Sequence, residues 1–122
     1  MGYILILLLV LIPIQEAFIY QRIAPEPLTR EVTSYTLGRI AENDNSPCIG
    51  AYNDNLCKLA HKKTICASNE FPKGTRLKVG EIICVVMDKM NSRYKTRIDI
   101  ATLDYKEAIN FGRQRLLVYK ID

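Results

Sequence analysis

The chain has 122 residues, of which 48% are hydrophobic and 25% charged, a composition typical of one folded domain and not of a disordered polymer. Lys and Arg number 17 against 13 Asp and Glu, and the net charge of +4 favours anionic partners without singling out nucleic acid. The phosphate-binding and dinucleotide-binding glycine motifs are absent, and a single histidine, His61, excludes a multi-histidine metal site. We therefore expect no cofactor and no bound metal.

The amino-terminal segment predicts export. Residues 3–14 form a nearly unbroken apolar run, which has the length of a signal-peptide core but is shorter than the roughly 20 residues that span a bilayer. We expect residues 1–20 to be a signal peptide or, if the run extends through Phe18–Tyr20, a retained membrane anchor. A buried core helix is the remaining alternative. Both main interpretations place the rest of the chain in the cell envelope or outside the cell.

Beyond this segment, residues 21–30 contain two prolines and predict an extended linker, so the folded domain is expected to span residues 31–122. Residues 42–55 have the Asn, Asp, Ser, Pro and Gly content of a loop, and Phe71–Gly74 is typical of a turn. Alternating or continuous apolar runs predict strands at 31–37, 64–69, 75–79, 82–88, 97–101 and 115–121.

One helix is predicted before the last strand. Asp104 can cap it, Glu107 stands at the capping-box position, and Gly112 is the expected end. Tyr105, Ala108 and Ile109 would form its buried stripe. Six short strands and one helix, without recurring strand–helix alternation, favour a mainly β fold, a small closed six-stranded barrel. We expect it to be a monomer.

The four cysteines suit an exported domain. None forms a C-x-x-C pair, and of the three ways to pair four cysteines we favour the one that makes two local disulfides. Cys48–Cys57 would close a turn-rich stretch, and Cys66–Cys84 would link two predicted strands. The alternative is a zinc site built from the four cysteines, or from three of them and His61.

Three acidic residues are candidates for chemistry. Asp44 lies in a polar loop, Asp88 ends an apolar strand, and Asp99 stands between Ile98 and Ile100. Because neighbouring strand residues point to opposite faces, Asp99 faces a groove or solvent if both isoleucines enter the core. A partly desolvated carboxyl at a strand end suits proton donation.

Basic residues lie between the last two acids, at Lys89, Arg93, Lys95 and Arg97. They could clamp an anionic substrate, form a solvated loop, or make ion pairs that hold Asp88 and Asp99 ionised. Tyr35 could stack on a sugar ring, although packing in the core or a contact at the barrel rim is at least an equal alternative. His61 stands among loop residues and is expected to be solvated.

The runs TSYTL, NDNSP, FPKGTRLKVG, VVMDKMNSRYKTRIDI and EAINFGRQ together resemble the 3D domain, named for three aspartates and found in bacterial cell-wall proteins. The resemblance covers residues 31–121 and includes the eleven-residue offset from Asp88 to Asp99. These proteins include the membrane-bound lytic transglycosylase A family and stationary-phase survival-type proteins.

The resemblance implies a double-psi β-barrel and cleavage of the β-1,4 bond between N-acetylmuramic acid and N-acetylglucosamine in peptidoglycan. Asp99 would be the single acid and base. Asp88 would hold a neighbouring group in place and tune the pKa of Asp99. Asp44 would shape a loop or bind sugar. Lys89, Arg93 and Arg97 would meet carboxylates of the wall. The implied partner is the peptidoglycan glycan strand. We expect no nucleic-acid partner, because export and the expected disulfides argue against one.

An alternative function remains open. The transglycosylase form of the family has a glycine-rich stretch between its two acids, where this chain has KMNSRYKTRI. Related expansin-like barrels bind or loosen glycans without efficient cleavage. A non-catalytic wall-binding or wall-remodelling module is therefore the second hypothesis.

Overall fold

A computed structural model of the protein describes residues 27–39 and 47–121. The elements in chain order are β1 (Leu28–Thr36), α1 (Leu56–Leu59), β2 (Ile65–Ser68), β3 (Arg76–Val79), β4 (Ile82–Asp88), β5 (Ile98–Thr102), α2 (Tyr105–Phe111) and β6 (Gln114–Lys120). All six predicted strands and the helix before the last strand are confirmed, whereas α1 was not predicted. The predicted signal or anchor lies outside the described residues. Within the described ranges, no helix is long and apolar enough to cross a membrane.

The strands form a closed barrel in the order β1-β5-β2-β4-β3-β6, with β6 pairing back to β1. Two of the pairs are parallel, β1 with β5 and β2 with β4, and the other four are antiparallel. Strand β1 begins at Leu28, three residues earlier than predicted, because Leu28 to Arg30 also pair with β6. The predicted closed six-stranded barrel is confirmed.

The barrel interior is filled by alternate residues of the strands. In β3, for example, Leu77 and Val79 are fully buried while Arg76 and Lys78 are exposed. This period of two matches the pleat of a strand with one face inward. The interior cluster consists of Val32, Cys66, Leu77, Val79, Cys84, Val86, Ile98, Ile100 and Val118.

Both predicted disulfides are present. Cys66–Cys84 joins β2 to β4 inside the barrel, with Cα atoms 5.8 Å apart. Cys48–Cys57 ties the turn-rich segment to α1, with a Cα separation of 5.1 Å. The zinc alternative is wrong, because disulfide bonds occupy all four sulfur atoms.

A second apolar cluster lies on the outer face of the barrel. Ile65 and Ala101 are the sequence neighbours of interior Cys66 and Ile100, so they point away from the interior. Leu56 of α1 packs on them, and the Asn55 side chain caps α1 by accepting a hydrogen bond from the Lys58 N–H. This packing holds the segment from Cys48 to Cys57 against the barrel wall.

The predicted buried stripe of α2 is wrong. Ala108 is buried, but Tyr105 and Ile109 are 42% and 59% exposed. The seven-residue helix packs on β1 and β5 through the side of Ala108, and the Tyr105 ring instead lies under the Arg39 guanidinium, 3.7 Å away. Asp104 caps the helix as predicted, whereas Glu107 accepts a hydrogen bond from the Thr102 hydroxyl.

Candidate functional site

The sheet brings Asp88 and Asp99 to either side of one small residue. Ala67 of β2 is paired with Asp99 on β5 and with Asp88 on β4. Since strands in a sheet lie about 4.8 Å apart, the two aspartates stand two strand spacings from each other. We call Asp88, Asp99, Thr33 and Tyr35 the aspartate cluster.

A β-bulge directs Asp88 to this face. The register shifts between Cys66 and Ala67, so that Cys66 pairs with Val86 but Ala67 pairs with Asp88 and Met87 is passed over. Val86 points into the interior, and strict alternation would send Asp88 inward as well. The extra residue reverses the alternation, which is a common role of bulges near functional sites.

Asp99 is half-buried between two buried isoleucines. Ile98 and Ile100 are 0% and 6% exposed, so the condition stated for an outward-facing Asp99, that both isoleucines enter the core, is met. Asp99 therefore points outward, and its Oδ1 accepts a hydrogen bond of 3.0 Å from the Thr33 hydroxyl on β1. Thr33 is its register partner in the parallel β1–β5 pair.

Asp88 is held by donors from three segments. Within the described residues it accepts hydrogen bonds from the Tyr35 hydroxyl (2.9 Å), the Ala51 N–H (2.8 Å) and the Lys89 N–H (2.9 Å). Gly50 allows the loop to come this close, since a Cβ there would lie 3.3 Å from the carboxylate and 2.7 Å from the Leu56 side chain. The hydrogen bond from the Ala51 N–H therefore holds the Cys48–Cys57 loop against the end of β4.

The pKa of Tyr35 responds to both carboxyl groups. Burial, the charge of Asp88 and its hydrogen bond, and the charge of Asp99 all raise the pKa of Tyr35 well above its usual range. The phenol therefore stays protonated and donates to Asp88. Its ring packs on the outer apolar cluster, which is the packing alternative given for it above.

The basic residues separate into two groups. Arg93, Lys95 and Arg97 line a polar groove beside β1. Lys89 lies elsewhere, 5.3 Å from the centre of the Tyr52 ring. The ion pair of Arg97 goes to Glu31 at 2.6 Å, whereas the three hydrogen bonds of Asp88 all come from uncharged donors.

Asp44 lies outside the described residues, and His61 is exposed in the turn after α1, as predicted. Thr33, the Ala51 N–H and Asn69 were not predicted from the sequence as parts of a site. A hydroxyl two residues before Tyr35 on a predicted strand is a usable signal for Thr33. A backbone donor such as Ala51 leaves no trace in the residue type.

No protein-family model matches the chain, and no curated protein matches it either.

Proposed function

We propose that the protein is an exported enzyme of the lytic transglycosylase type that cleaves peptidoglycan glycan strands. The observation that carries the proposal is the outward-facing pair of aspartates flanking Ala67 on a closed barrel. The resemblance to the 3D domain supplies the reaction. The two parallel strand pairs support a double-psi connectivity, and the disulfides are compatible with an oxidising compartment.

In this mechanism Asp99 acts first as an acid. Its proton passes to the glycosidic oxygen between N-acetylmuramic acid and N-acetylglucosamine as the bond from that oxygen to C1 breaks. Asp99, now a carboxylate, takes the proton of the 6-hydroxyl of the same muramic acid, whose oxygen bonds to C1 and closes a 1,6-anhydro ring. Because the nucleophile is intramolecular, one carboxyl group suffices.

The resemblance to the 3D domain assigns this role to Asp99 and a positioning role to Asp88. Both oxygens of Asp88 accept hydrogen bonds from the fold itself, one from Tyr35 and the other from two backbone N–H groups. These contacts make Asp88 a positioning residue. Asp88 holds the Tyr35 hydroxyl in place. The charges of both Asp88 and Asp99 act on the pKa of this phenol.

The test is digestion of peptidoglycan sacculi by the purified, oxidised protein, followed by mass analysis of the soluble products. The wild type should release anhydro-muropeptides, which are one water lighter than hydrolysed products. The Asp99→Asn variant should lose activity by about 10²-fold or more while keeping its fold. Glu81→Gln, which neutralises an exposed turn carboxylate, is the matched control and should remain active.

The second candidate is a wall-binding module without catalysis. It is favoured by the engagement of Asp88 in fold-stabilising contacts alone. It predicts that wild type and Asp99→Asn sediment equally with sacculi and release no products. Anhydro-muropeptides from the wild type alone would rule it out.

A further inference from the structure

A groove of about 310 Å³ lies on the same outer face as the aspartate cluster. It is lined by the cations Arg30, Arg93, Lys95, Arg97 and Arg115 and by the acid Glu31. We call it the basic groove. On β1, Glu31 stands two residues before Thr33, and Arg97 stands two residues before Asp99. Since a strand rises about 3.3 Å per residue, the backbone of Arg97, which lines the groove, lies about 7 Å from that of Asp99.

The charges of the groove are only partly balanced. Arg97 and Arg113 share the carboxylate of Glu31, at 2.6 and 2.9 Å. Within residues 27–39 and 47–121, Arg93, Lys95 and Arg115 make no ion pair with a carboxylate. An excess of positive charge therefore faces the solvent at this place.

The loop that carries Arg93 and Lys95 is preorganised by one side chain. The Asn69 amide donates to the carbonyls of Met90, Asn91 and Tyr94 at 3.0–3.1 Å, and its oxygen accepts from the Met90 N–H at 3.0 Å. A loop that is already ordered loses less conformational entropy when it binds a ligand.

The Tyr94 ring orients the guanidinium groups. The Arg93 and Arg97 guanidinium carbons lie 4.7 and 4.1 Å from the centre of that ring, within cation–π range. Arg93 also donates to the Tyr94 hydroxyl at 2.6 Å. A guanidinium group has five N–H donors, so Arg93 retains donors for a carboxylate beyond the one it gives to Tyr94.

We propose that the basic groove is a subsite for a peptide carboxylate attached to the glycan strand, next to the sugar unit held at Asp99. The proposal rests on the proposed function for the identity of the glycan. Carboxylate is the chemistry that guanidinium groups here already bind, since Arg30 holds both oxygens of Glu70, at 2.9 and 2.7 Å. The subsite selects peptide-bearing strands over bare ones.

The experiment compares binding to two forms of one polymer, intact sacculi and sacculi whose carboxylates have been converted to methylamides. It uses the Asp99→Asn background so that the polymer stays uncut. Affinity for the intact form should exceed that for the amidated form by about tenfold. The double change Arg93→Gln, Arg115→Gln should abolish the preference.

The double change Lys62→Gln, Lys106→Gln removes the same charge at exposed positions outside the groove, and it should keep the preference. A preference that survives loss of Arg93 and Arg115, or that disappears equally in the lysine control, would overturn the subsite. Tighter groove-dependent binding of single-stranded DNA than of intact sacculi would overturn it in favour of nucleic acid. Failure of the wild type to release anhydro-muropeptides would contradict the proposed function and leave this binding comparison readable.

Discussion

The aspartate cluster and the basic groove share one face of the barrel but are positioned by different means. In the cluster, the Thr33 hydroxyl donates a hydrogen bond to Asp99 across 66 sequence positions, and this contact follows directly from strand register. The Tyr35 hydroxyl donates to Asp88 across 53 positions. In the groove, three of the cations belong to the irregular segment between β4 and β5, which Asn69 holds in place.

The difference indicates what must be disrupted to alter each region. Moving Asp99 relative to Thr33 requires a register slip of β5, and such a slip would turn Ile98 and Ile100 outward. Loosening the groove requires only loss of the Asn69 contacts. The cluster is therefore as stable as the barrel itself, whereas the groove can be altered while the barrel stays intact.

The largest expected effect breaks the cluster at Asp88. Asp88→Ala leaves the Tyr35 hydroxyl and the Ala51 N–H without their acceptor, and we expect a loss of about 2 kcal/mol in the free energy of unfolding. Asp88→Asn is the matched control, because its amide oxygen can accept from both backbone N–H groups while the Tyr35 hydroxyl rotates to accept from the amide nitrogen. Chemical denaturation measures both variants. Equal losses for alanine and asparagine would show that the hydrogen bonds are not the cause.

A smaller effect is expected from loosening the groove. Asn69→Ala removes the contacts to Met90, Asn91 and Tyr94 and should cost about 1 kcal/mol in the free energy of unfolding, since these groups are exposed to water. Amide hydrogen exchange should accelerate at the Met90 N–H and stay unchanged at Asp99. Asn110→Ala, at an exposed position of α2, should leave the exchange of the Met90 N–H unchanged. Acceleration that spread to β5 would contradict the separation of the two regions.

The barrel was predictable because its signals are local and repeated. Alternation in TRLKV identified β3, the apolar run of 82–88 identified β4, and the cysteine spacing indicated both disulfides. The prediction that the apolar stripe of α2 is buried was wrong, because the spacing of apolar residues does not tell which side of a short helix the barrel covers. Helix α1 escaped prediction because four residues among turn formers show no period.

The candidate site was predictable only in part. The orientation of Asp99 followed from strand alternation on the condition that Ile98 and Ile100 enter the core. The orientation of Asp88 depends on a bulge, and a bulge reflects the pairing of two strands that one sequence does not display. The Asn69 hydrogen bonds that order the loop are likewise long-range contacts, and Asn is a residue type common in loops.

The smallest expected effect concerns the ionisation of Tyr35. Burial and the charges of Asp88 and Asp99 raise the pKa of Tyr35 in the folded protein above the usual value of about 10, which the unfolded chain retains. Above that pH the unfolded chain binds fewer protons than the folded one, so stability that is present below pH 10 is lost as the pH rises. From pH 8 to pH 10.5, Tyr35 should contribute a loss of about 0.8 kcal/mol in the free energy of unfolding. Urea denaturation at both pH values measures this loss as the difference between the wild type and Tyr35→Phe, and Tyr105→Phe, changed at an exposed ring, controls for removal of a phenol. A Tyr35→Phe variant that loses stability as steeply as the wild type would show that the phenol at the cluster is not held protonated by its surroundings.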